Sequence, residues 1–194
     1  MRVLVDYRPA LRERTGVGEY VHQFVRALLD AYEQLLARRR DLPRMVLAGK
    51  ALEEARPWLD RIARPPLSGH VEHIGYVEAP DRRALYEGAR LLVQPSFDEG
   101  FGIPVLEAMT LGVPVVASNR GALPEVVGDA GPLVDPEADG ALAAAIERLI
   151  DDTAFAAACV SKGAARSRQF AWDAMARGMF TAYRQALERR CASA

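Results

Sequence analysis

Cysteine is scarce. Cys159 and Cys191 are the only two in 194 residues, and they lie far apart in the chain. They give neither a disulfide framework nor a zinc-ligand spacing, and so few thiols fit a reducing, cytoplasmic setting. An excess of charge of one sign is also missing. Lys and Arg total 25 against 26 Asp and Glu, a formal net charge of −1. That balance excludes a general attraction to nucleic acid or to an anionic membrane. No apolar run approaches the roughly 20 residues needed to span a bilayer. The N-terminal run, Met1-Arg2-Val3-Leu4-Val5-Asp6, is too short for a signal peptide. There are three histidines and no carboxylate–histidine cluster with ligand spacing, so no metal is expected. Repeats and low-complexity tracts are absent apart from an alanine-rich helix. What remains is ordinary: half the residues are hydrophobic and a quarter charged. The length suits one domain with a sizeable core.

Short apolar runs alternate with helical patterns along the chain. Val3-Leu4-Val5, Met45 to Ala48, Val71 to Ile74, Leu91 to Pro95, Pro114 to Ala117 and Pro132 to Val134 read as buried strands. A long helix is predicted from about Glu19 to Arg38, with Val21, Phe24, Val25, Leu28, Tyr32, Leu35 and Leu36 on one face. Asp81 is expected to cap a helix over residues 82–88. The tail reads as three helices, and in the last of them Trp172, Met175, Met179 and Tyr183 form a stripe expected to be core. Strands alternating with helices predict an α/β fold: a single Rossmann-like, doubly wound parallel sheet of about six strands, with a helical tail.

One stretch carries chemistry. After the strand at 91–95 come Glu99-Gly100-Phe101-Gly102-Ile103-Pro104-Val105-Leu106-Glu107, a glycine loop leading into a helix at Pro104. Glycines let a ligand approach the backbone, and a helix N-terminus presents free N–H groups to an anion. Glu99 and Glu107 flank that turn. A phosphate has no use for carboxylates, but sugar and ribose hydroxyls donate to them. The combination points to a nucleotide-sugar. The plainer alternative is a strand–loop–helix turn with two solvated glutamates.

Residues 99–109, followed by Gly112-Val113-Pro114-Val115-Val116-Ala117-Ser118 and by Leu123-Pro124-Glu125-Val126-Val127-Gly128-Asp129, resemble the donor signature of the retaining GT-B glycosyltransferases, glycosyl transferases group 1. The resemblance covers roughly residues 42 to 187. It implies that Glu107 receives the ribose hydroxyls and that Glu99 lies at the donor sugar as the candidate catalytic carboxylate. It implies backbone contacts from Gly100, Phe101 and Gly102, and a pocket shaped by Ile103, Val105 and Leu106. The substrate implied is a nucleoside-diphosphate sugar, with an unknown acceptor and no cofactor.

The resemblance also shows what the chain lacks. Such enzymes have two Rossmann-like domains, an N-terminal one for the acceptor and a C-terminal one for the donor. Residues 1–28 resemble the start of the first, and 29–194 resemble the second. The first strand of the donor domain, and the loop after it that carries an Arg and a Lys for the diphosphate, have no counterpart. Residues 3–7 are therefore expected to take the place of that strand. The loop with Arg12, Arg14, Thr15, Gly16 and Gly18, together with Lys50, is then the candidate phosphate site. Three functions follow: glycosyl transfer, donor binding without transfer, or a truncated relative that forms a homo-oligomer through its exposed cleft surface.

Overall fold

The computed structural model describes residues 2–6, 16–51 and 53–192. Strand β1 (Arg2–Asp6) and helix α1 (Gly16–Arg38) are followed by β2 (Arg44–Ala48), α2 (Arg56–Ile62), β3 (Val71–His73), α3 (Ala79–Glu87) and β4 (Ala89–Gln94). Then come α4 (Ile103–Thr110), β5 (Val115–Ser118), α5 (Leu123–Val127), β6 (Leu133–Val134), α6 (Ala141–Asp151), α7 (Thr153–Ser167) and α8 (Trp172–Ala192). The alternation read from the sequence is thus an α/β architecture of parallel strands and helices.

Strands β2 and β3 form a pair, and β4, β5 and β6 a triplet. Among the described residues no direct pairing joins the two groups. They meet only through β1, which is parallel to both β2 and β4, in the order β3-β2-β1-β4-β5-β6.

Side chains alternate between the two faces of each strand. Met45, Leu47, Leu91, Val93 and Val116 point to one face, where α1, α2 and α6 cover them with Leu28, Tyr32, Trp58 and Ile146. Leu92, Val115 and Ala117 point to the other, under Tyr86 of α3, Val105 and Met109 of α4 and Leu123 of α5. Helix α1 buries Phe24, Val25, Leu28, Tyr32 and Leu35 as its periodicity demands. At its end Arg39 turns away from the helix carbonyls. It grips Asp41 at 2.7 Å and both oxygens of Asp151 at 2.6 and 2.7 Å, clamping α1 to α6.

Three local expectations are corrected. Gly16 and Gly18 belong to the first turn of α1, so the loop read over 15–18 is already helical there. Pro80 pre-sets the start of α3 and moves it back to Ala79; Glu78 is the N-cap, without a side-chain cap bond, and Asp81 falls in the first turn. The stripe on α8 is not core. Trp172 is 82% exposed, and Met175, Met179 and Tyr183 are exposed too, because α8 runs past the end of the sheet and meets little beyond the turn at Arg168–Phe170.

Candidate functional site

Strand β4 delivers its carboxyl end to the turn that carries both carboxylates. Gln94, its last residue, is buried, and its Nε2 donates to Ser96 Oγ at 2.8 Å and to Glu99 Oε2 at 3.2 Å. The N–H of Gly102 donates to the other oxygen of Glu99 at 3.3 Å. Glu99 is thus held inside its own loop by a strand side chain and a backbone amide. Gln94 Oε1 has no hydrogen-bond partner among the described residues.

Two glycines make this loop possible. Gly102 is the N-cap of α4 at φ 90°, a left-handed conformation that a side chain resists, and it swings the chain from loop to helix. Gly121, at φ 59°, lies against the loop from the β5 side. A Cβ there would sit 2.8 Å from the backbone N and O of Glu99. The neighbouring N–H of Ala122 donates to Glu99 O at 2.9 Å, which fixes the loop's height over the sheet.

Glu107 stands one turn into α4, half-buried. Tyr86 Oη donates to its Oε2 at 2.8 Å, and Arg82 Nη1 lies 3.9 Å from its Oε1. Beside it opens a cavity of about 550 Å³ with a mostly apolar wall. Phe101, Ile103, Leu106 and Glu107 line one side. Phe170, Trp172 and Met175 line the other, with Phe101 edge-on to Phe170 at 5.7 Å between centroids.

The remaining candidates separate. Val105, on the inner face of α4, is fully buried in the core, so it supports the turn rather than facing a ligand. Gly100 is exposed, with open space where a Cβ would be. Lys50 is exposed just past the end of β2, where Gly49 O is held by His73 Nε2 at 2.8 Å. His73 also meets Trp58 edge-on at 5.4 Å, so it packs and braces. Gly16 and Gly18 open α1; Arg12, Arg14 and Thr15 lie outside the described residues.

Residues that sequence reasoning passed over sit here as well. Arg120, after β5, stacks over Phe97 at 5.2 Å and is tied to Asp135 at 2.8 Å and to Glu137. The backbone N–H of Glu137, and then that guanidinium, hold Asp135 below its usual carboxylate range. Tyr86 and Gln94 fall inside a predicted helix and a predicted strand, but nothing in a linear sequence announces which carboxylate each will meet. Glu125 and Asp129 carry no site: the carbonyl of Glu125 accepts from Arg166, and Asp129 pairs with Lys162 at 2.9 Å.

A family model described as glycosyl transferases group 1 matches residues 16–152. The chain belongs to this family. Among curated relatives, it is 39% identical over 161 residues to O-antigen chain mannosyltransferase B of Escherichia coli, a match covering 82% of this chain and 42% of that protein. It is 36% identical over 112 residues to D-inositol 3-phosphate glycosyltransferase of Rhodococcus opacus, covering 56% of this chain and 25% of that one. Among solved structures, sucrose-phosphate synthase from Thermosynechococcus elongatus superposes with a TM-score of 0.77 at 26% identity, over 97% of this chain and 46% of that one. HepE of Anabaena, solved with UDP and glucose, gives 0.71 at 25%, over 95% and 48%. The chain therefore spans less than half the length of these proteins.

Proposed function

We propose that this chain is the donor-binding half of a glycosyltransferase and that it holds a nucleoside-diphosphate sugar at the carboxyl edge of its strands. One observation carries the reading: two carboxylates, Glu99 and Glu107, are held on either side of a glycine loop and helix start, each by a buried donor. Restrained carboxylates beside a glycine loop and a helix N-terminus suit a ligand with hydroxyls at both ends and phosphates between. Glu107 takes the ribose hydroxyls and Glu99 the sugar hydroxyls. Gly100, Phe101 and Gly102 approach the sugar and diphosphate with their backbone. Ile103 and Leu106 form the wall on the nucleotide side. UDP bound to HepE supports a donor of this class.

Strand β1 stands in for the first strand of the donor domain. Its register beside β2, Asp6 opposite Ala48, brings the end of β1 level with the end of β2, shortly before Lys50. Lys50 and the first turn of α1 with Gly16 and Gly18 then supply the positive side of the diphosphate site. Bond cleavage leaves negative charge on the diphosphate, and fixed donors lower that barrier by about 3–4 kcal/mol each.

A second reading is favoured by the coverage of the relatives. Residues 29–194 resemble the donor-binding part of those proteins, and in this reading that stretch binds the donor without itself transferring the sugar. Calorimetric titration with UDP, GDP and ADP, run beside a donor-hydrolysis assay, separates the two. Binding with turnover supports transfer, and binding without turnover supports the module. Glu107→Ala is expected to weaken nucleotide binding by about tenfold or more, as the loss of hydrogen bonds to a charged group does. Unchanged affinity in that variant removes the site.

A further inference from the structure

We infer that helix α8 is an interaction surface for a second copy of this chain, and that two α8 helices pair antiparallel about a two-fold axis at Met179. The inference stands apart from the donor-site reading above.

The two sides of α8 differ. By helical period, Trp172, Met175, Met179, Ala182, Tyr183 and Ala186 share one side. Asp173, Arg177, Thr181, Arg184 and Glu188 share the other. The polar side finds its partners within the helix. Arg177 pairs with Asp173 at 2.9 Å and Arg184 with Glu188 at 3.8 Å, while Thr181 Oγ1 donates to Arg177 O at 2.9 Å. The apolar side is open to solvent: Trp172, Met175, Met179, Phe180 and Tyr183 are each between 46% and 82% exposed. Together they leave about 600 Å² of apolar surface along one helix, the upper end for a monomer.

Composition, area and shape identify the occupant. Trp, Tyr, Phe and Met are the residue types enriched in protein–protein contacts. The polar side mixes both signs and has no lysine, unlike the uniformly cationic side of a helix that lies on a lipid surface. Two such apolar faces pressed together remove about 1,200 Å² from water, the lower edge of stable interfaces. A two-fold pair must also be complementary to itself. With Met179 on the axis, the antiparallel arrangement sets Trp172 level with Ala186 of the second copy, Met175 level with Tyr183, and Ala176 level with Ala182. The bulkiest side chain thus lies beside a small one, and no charged residue shares that side between 172 and 186. A parallel pair would set Trp172 against Trp172 and align the two helix dipoles. An interface of this modest size is reversible, with an expected dissociation constant on the order of 10 µM. Below that concentration α8 stands free.

Sedimentation equilibrium from about 1 to about 200 µM tests the pairing. Wild type should pass from monomer to dimer across that range. Met179→Glu and Met179→Lys each bring two like charges together on the axis, and each should weaken association by about tenfold or more. An equal mixture of the two variants sets Glu against Lys and should dimerise again, which no loss of folding would allow. Thr181→Glu, on the polar side, should associate like wild type. A wild type that stays monomeric at about 200 µM overturns the inference; if it then binds vesicles of phosphatidylglycerol and phosphatidylcholine, the face belongs to lipid instead. Dimers undisturbed by Met179→Glu put the interface elsewhere and overturn it too. Variants that dissociate but do not recover on mixing remove the axis at Met179, and the proposed arrangement with it.

Discussion

Tyr32 shows how one buried polar atom sets a pH limit on the fold. Its side chain is fully buried on α1, with its hydroxyl donating to the carbonyl of Pro43. Burial, partly offset by a backbone hydrogen bond from Met45, pushes its pKa up to about 12. In the unfolded chain the phenol titrates near 10. Its contribution is therefore complete below pH 10 and is lost as the pH rises toward 12, where the unfolded state alone releases the proton. The loss amounts to about 2–3 kcal/mol. Melting curves recorded between pH 9 and pH 12 should fall steeply for wild type and less steeply for Tyr32→Phe. Parallel curves would show that the alkaline limit lies elsewhere. At the same scale, Gly121 illustrates a constraint that is invisible in a linear reading. Its role depends on Glu99 passing within 2.8 Å of where a Cβ would be, and no pattern around residue 121 says so.

Elements were legible where a repeating pattern met a single burying surface. Helix α1 reads correctly because Phe24, Leu28, Tyr32 and Leu35 recur on one face and the sheet takes that face. Strand β4 and the turn into α4 read correctly because Gly102 and Pro104 punctuate a change of period from strand to helix. Helix α8 carries just as clear a stripe, yet Phe180 is 70% and Tyr183 64% exposed. Periodicity reports that a face is apolar; which surface covers it depends on what packs beyond the end of the sheet. The same limit applies to the site. The positions of Glu99 and Glu107 were readable, whereas Gln94, Tyr86 and the cavity wall from Phe170 and Met175 are products of tertiary contact. With few buried contacts, α8 should open independently of the core. Hydrogen exchange is expected to label the amides of 172–186 at least a hundredfold faster than those of β5 and α4. Equal protection would mean that α8 is packed. An exposed-face change such as Phe180→Ser should alter stability by no more than about 0.5 kcal/mol, against about 3 for Leu28→Ala in the core.

For the molecule as a whole, β1 is the single link between a two-stranded and a three-stranded group. The core does not divide there. Met45 and Leu47 of β2 share one face with Leu91 and Val93 of β4, and Ala48 of β2 shares the other with Leu92 of β4. A proline in the middle of β1 removes a donor and disturbs the ladder at the seam. Leu4→Pro is expected to destabilise the fold as a whole by about 3 kcal/mol or more. Trp58 fluorescence and far-ultraviolet circular dichroism should then give coincident urea transitions at a lower midpoint than wild type. Separate transitions would show that the two strand groups unfold independently.

The place of β1 also sets an order of events during synthesis. Residues 2–6 leave the ribosome before both of their partners, since Val3 pairs with Met45 and with Leu91. Strand β1 is therefore made well before it can be satisfied on both edges, and until residues 89–94 follow it is a ribbon with an open hydrogen-bonding side. Such a ribbon invites pairing with a neighbouring nascent chain. Yield in a cell should depend on how fast residues 44–94 follow and on whether a chaperone covers β1, more than on the stability of the finished fold.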